Sequence, residues 1–85
     1  MTFTFEVMVS LKPGLADPAG KAVMSALPTL GWTNVTEVHV GKHIEVVVEA
    51  VDETTARAQV EAMAERLLSN PVIEDFRILE GAGEA

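Results

Sequence analysis

Two histidines, three serines and thirteen carboxylates are the side chains able to do chemistry in these 85 residues, which include no cysteine. His39 and His43 flank Gly41-Lys42, and residues of equal parity in an extended chain share a face, here beside Glu37 and Glu45. Two imidazoles without a third ligand motif are weak grounds for a metal site, so a solvated strand face is the better reading. Glu45 and Glu49 also share a face, as a carboxylate pair for acid–base work requires, but nothing around them suggests a pocket. Glu74 and Asp75 are neighbours and point to opposite faces. Ser10, Ser25 and Ser69 stand in no nucleophile motif, and Lys12-Pro13-Gly14 and Gly41-Lys42 are too short for a phosphate-cradling loop. No catalytic, cofactor-binding or metal-ligating residue is assigned.

The elements that would position these groups are legible in the patterning. Phe3, Phe5, Val7, Val9 and Leu11 alternate with Thr2, Thr4, Glu6, Met8 and Ser10, the period of a strand with one buried face. Pro13-Gly14 breaks it. Asp17-Pro18 is an N-cap carboxylate before a proline at the first helical position. Ala19, Ala22, Val23, Ala26, Leu27 and Leu30 follow at helical spacing, and Gly31 stops them. Pro28 predicts a tightened or kinked end. Residues 35–51 read as two strands about Gly41-Lys42. A three-residue loop, Gly41-Lys42-His43, pairs Val40 with Ile44 and Val38 with Val46, which keeps the valines on one face. Asp52 caps a second helix with the stripe Ala56, Val60, Met63, Ala64 and Leu67; Asn70-Pro71 ends it, and 72–80 form a last strand.

That order, strand–helix–strand–strand–helix–strand, predicts an α+β, ferredoxin-like βαββαβ domain. It would have an antiparallel sheet with both helices on one face. Residues 1–80 make one domain and 81–85 a flexible tail. So small a chain, 9.1 kDa without disulfides, buries a marginal core. Its 48% apolar content therefore points to a homo-oligomer, dimer or tetramer. Met8 and Val47 on the bare outer sheet face are the candidates for self-association.

Charge is divided along the chain. Lys12, Lys21 and Lys42 balance Glu6, Asp17 and Glu37 within residues 1–42, so the net −7 falls in residues 43–85. No basic stripe exists for a nucleic acid or an anionic membrane. Neither a signal peptide nor a spanning segment is apparent, and cytoplasm is the default location. Acidic Glu45, Glu49, Glu74 and Asp75 would form one docking face, while Lys12, Asp17 and Lys42 in exposed loops offer contacts elsewhere. Lys12, Asp17, Lys42, Glu74 and Asp75 are the candidate partner contacts.

Three segments carry a resemblance. Residues 11–20, LKPGLADPAG, resemble the "LKxGvxDPxG" opening of PurS, the small subunit of phosphoribosylformylglycinamidine synthase. Ala26-Leu27 with Leu30-Gly31, then VHVGKHIE at 38–45, is similar to that family's "aLxxlG…VxxGKxiE", and LLSNPVIEDF at 67–76 to "LLaNpvIEdy". The likeness runs through residues 3–80, departing at Pro28 and at Phe76, where tyrosine is common. It implies a non-catalytic subunit that dimerises and joins a glutaminase subunit to a large ATP-dependent synthetase in purine synthesis, so that ammonia passes between active sites. The whole complex is implied to use ATP, Mg²⁺ and glutamine, none of them assigned to this chain. No catalytic residue is carried over. The competing reading is a small-molecule-binding regulatory module of ferredoxin-like type, because that layout hosts many functions.

Overall fold

Alternation along the first strand becomes the centre of the molecule. In the computed structural model, which describes residues 1–79, β1 (Thr2–Leu11) is the middle strand of a three-stranded antiparallel sheet. It is flanked by β2 (Lys42–Glu49) and β3 (Glu74–Leu79) in the order β2-β1-β3. Phe3 lies opposite Val48, Phe5 opposite Val46 and Val7 opposite Ile44, while Val7 and Val9 meet Ile78 and Phe76 on the other side. This face carries the core, and Val7 and Val9 lose essentially all contact with water. Each such valine contributes about 1.5–3 kcal/mol of burial.

Helix α1 (Pro18–Ala26) starts as its sequence requires: Asp17 accepts from the Gly20 N–H and Pro18 opens the first turn. Pro28 tightens the end into a 3-10 turn (Pro28–Leu30), closed by Gly31 at φ 105°, a left-handed conformation that glycine adopts without penalty. Helix α2 (Glu53–Met63) is capped by Asp52, whose carboxylate accepts from Thr55 N–H at 2.7 Å. Ala56, Val60 and Ala64 are buried against the sheet. The expected stripe fails at Met63 and Leu67, which are exposed, Leu67 at 81%. A π turn (Ala64–Leu68) follows α2, where Ser69 N–H reaches back five residues to the Ala64 carbonyl. The wider turn rotates Leu68 onto the core in place of Leu67.

Two features depart from the expected layout. The anticipated second strand, 35–40, has no ladder partner, and residues 33–41 belong to no helix or strand. The three-residue hairpin loop does not form because Lys42 and His43 are themselves paired, with Val9 and Met8 of β1. Second, only α2 packs on the sheet; α1 stands off it with the arm of residues 31–41. Val23 and Leu30 of the expected helical stripe are 43% and 68% exposed, and Trp32, just past the helix end, is 55% exposed. The α+β class, the antiparallel sheet and the two helices hold, with α2 supplying most of the helix-to-sheet packing. The radius of gyration is 16.4 Å and the extents are 51 × 27 × 13 Å, against about 12 Å for the radius of a compact chain this long. No helix among the described residues is long and apolar enough to cross a membrane. The tail at 81–85 lies outside the described residues.

Candidate functional site

The charged candidates converge on one end of the sheet. The loop after β1 is anchored there by the Lys12 N–H, which donates to the Ile73 carbonyl at 2.8 Å, and Gly14 (φ 85°) makes its turn. Lys12 Nζ then lies 3.9 Å from Asp75 Oδ1, and Lys42 Nζ 3.6 Å from Glu74 Oε2. The register explains this proximity, since Lys42 and Phe76 both flank Val9, and Glu74 sits beside Leu11. Lysines and carboxylates expected on separate surfaces are therefore partnered with each other, which corrects the picture of one acidic face containing Glu74 and Asp75. The two carboxylates differ. Glu74 is largely enclosed and accepts from Asn70 N–H at 2.8 Å, bracing the turn into β3. Asp75 is 64% exposed and its ion pair with Lys12 is long, so it keeps most of its charge available to a partner.

Asp17 does more than cap α1. One carboxylate oxygen takes Gly20 N–H at 2.8 Å and the other takes Val40 N–H at 3.0 Å, tying the arm to the helix start. The Gly20 and Val40 hydrogen bonds hold its pKa below the ordinary value, with a smaller pull from His39 nearby. The sequence marks the cap; the tie to a residue 23 positions away has no local signal.

The histidines go to different partners. His39 lies 3.4 Å from Glu37 and 4.0 Å from Asp17, whereas His43 Nε2 meets Glu6 Oε1 at 3.0 Å across the ladder. Among the described residues no three His, Asp or Glu side chains are grouped to hold a metal ion. Glu45 and Glu49 lie four residues apart on β2, about 13 Å of strand, too far for two carboxyls acting on one bond. Met8 and Val47 both occupy the outer face, but the Glu6–Glu45 rung separates them, so they form no continuous apolar patch. An open groove of about 590 Å³ lies beside Ser10, Leu15, Val40 and Arg77. Its lysine and two carboxylates are already engaged, Lys12 with Asp75 and Asp17 with the Gly20 and Val40 N–H groups.

A family model for PurS, phosphoribosylformylglycinamidine (FGAM) synthase, matches residues 4–80. The chain is 46% identical over 80 residues to the phosphoribosylformylglycinamidine synthase subunit PurS of Synechocystis sp., covering 89% of this chain and 80% of that one. Thermus thermophilus PurS superposes with a TM-score of 0.86 at 38% identity, covering 100% of this chain and 99% of the other. A chain of the PurLQS structure from Thermotoga maritima matches with a TM-score of 0.85 at 29% identity, over 93% of this chain and 96% of that one.

Proposed function

The chain belongs to the PurS family of FGAM synthase subunits, and from that premise we propose that it is the enzyme's non-catalytic assembly subunit. It is a subunit of a ligase of purine biosynthesis. In that role it joins the glutaminase and the ATP-dependent synthetase subunits, associates with itself as a dimer or tetramer, and supports passage of ammonia between their sites. The complex uses ATP, Mg²⁺ and glutamine, and none of the three is assigned to residues of this chain.

The observation that carries the reading is the likeness to the PurLQS structure over nearly the whole chain. The geometry supports it. Candidate catalytic groups are dispersed, while Leu30, Trp32, Val47, Leu67 and Val72 are all more than half exposed, a composition suited to contacts with other chains. Asp75, together with Lys12, is the contact offered to the large subunits; Glu74, Lys42 and Asp17 shape the surface around it.

The test is co-purification with the glutaminase and synthetase subunits, followed by glutamine-dependent amidine formation with and without this chain. Assembly and activity should both require it, and the chain alone should show no turnover. Assembly and activity indifferent to its presence would overturn the reading.

A further inference from the structure

Arg77 enters no ion pair among the described residues, although the chain as a whole carries a net charge of −7. It stands on β3 opposite Met8, and Asp75 stands opposite Ser10, all four on the sheet face away from the core. With Lys12 and Leu15 they line the open groove of about 590 Å³. Small-molecule sites span roughly 300–1,000 Å³. The charges of the lining balance, Lys12 and Arg77 against Asp17 and Asp75, so the net negative charge lies elsewhere on the chain. These four groups are not equally available. Both Asp17 oxygens are taken by backbone N–H groups. Lys12 comes only within 3.9 Å of Asp75, outside hydrogen-bond reach. A guanidinium, an ammonium, one carboxylate and the Ser10 hydroxyl therefore remain on offer beside the apolar side chains of Met8 and Leu15.

We propose that this groove is a binding site for a zwitterionic α-amino acid with an aliphatic side chain. Arg77 takes the ligand's carboxylate through paired N–H donors, the geometry that a guanidinium favours, and Lys12 adds a second positive charge. Asp75 accepts the ligand's ammonium, the kind of group that it already draws toward itself in Lys12. Side chains two positions apart on a strand leave the same face about 7 Å from each other. An α-amino acid holds its ammonium nitrogen about 2.5 Å from its carboxylate carbon. With a charge-assisted hydrogen bond of about 2.8 Å at each end, it fits a gap of this order. Met8 and Leu15 receive the aliphatic side chain. A polyanion is disfavoured by Asp75, and a bare cation by Arg77 and Lys12. The proposal goes beyond the assembly reading and meets it at one point. Lys12 and Asp75 are also the contact offered to the large subunits, so the site opens onto that junction.

The test uses the free chain, isotopically labelled, titrated with L-leucine and followed through its amide resonances. Met8, Ser10, Lys12 and Arg77 should shift together and saturate with a Kd of about 1 mM, within the per-atom limit for so small a ligand. N-acetyl-L-leucine has no ammonium and L-leucinamide no carboxylate, so each should bind about tenfold more weakly through loss of a hydrogen bond to a charged group. Arg77→Gln and Asp75→Asn should weaken L-leucine binding by a similar factor. Lys21→Gln, on α1 and outside the groove, should leave the Kd unchanged. The proposal is overturned by the absence of saturable shifts up to about 10 mM, by equal binding of the acetylated or amidated compound, or by an unchanged Kd in Arg77→Gln. The large subunits take no part in this titration, so its failure leaves the co-purification test of the assembly role standing, and the converse holds.

Discussion

Asp17 is the residue on which most of this architecture turns. It caps α1, holds the arm through Val40 N–H, and sits beside His39. Its folded pKa, like that of Asp52, is depressed because the charged form accepts backbone N–H bonds. A group of this kind adds stability that is fully present above its ordinary pKa of 3.8 and is lost as pH falls through the folded value. Asp17→Asn retains an acceptor oxygen but no charge. Its urea midpoint should be lower than wild type at neutral pH, and the gap should close progressively as pH falls below the ordinary 3.8. Parallel curves across that range would remove Asp17 from the acid response. At the opposite extreme of polarity, Val7 is fully enclosed on the central strand. Val7→Ala should cost about 2 kcal/mol in urea unfolding, from lost burial plus the cavity left behind.

At the scale of elements, the relation between α1 and the arm depends on a missing side chain. A Cβ on Gly20 would collide with the Val38 carbonyl oxygen and crowd the Asp17 carboxylate. Alanine is the better helix former by about 1 kcal/mol, so Gly20→Ala should leave α1 helical while prising the arm away. Amide exchange reads this directly: Val40 N–H should lose protection, with the β1 amides unchanged. Retained protection at Val40 would mean that the helix start shifts instead. The π turn is the second such device, because it rotates Leu67 outward and ends the helix on Ser69, whose hydroxyl and N–H both donate to the Ala64 carbonyl.

For the whole molecule, net charge and shape both point outward. A chain of net charge −7 meets partners with a rate that depends on salt when its charges are free. The structure separates the two carboxylates that the sequence places side by side. Asp75→Lys should weaken complex formation at low salt without disturbing the fold, and the difference should shrink as salt rises. Glu74→Lys should instead destabilise the subunit itself, because it breaks the Asn70–Glu74 turn and the Lys42 pair. Glutamine-dependent rate against subunit concentration, at two salt levels, checks the first; thermal unfolding checks the second. Coincident rate curves for wild type and Asp75→Lys at both salts would count against electrostatic docking.

The local rules were readable in the residues alone. Strict alternation from Thr2 to Leu11 allows one buried face, Asp17-Pro18 and Asp52 define helix starts, and Pro28 with Gly31 defines a helix end. These are short-range consequences of backbone sterics and hydrogen bonding, decided within a few residues. The motifs LKPGLADPAG, VHVGKHIE and LLSNPVIEDF likewise carry the family. Tertiary structure alone decided which strands meet. The parity that pairs Val38 and Val40 with Val46 and Ile44 says which faces would match, but it cannot say whether that pairing forms. That choice fell to β1, which takes Lys42 and His43 into its ladder and leaves no residues for a turn. The same long-range pairing brought Lys12 to Asp75 and Lys42 to Glu74, because ion pairs between distant positions follow from register, and register is set by burial across the whole sheet.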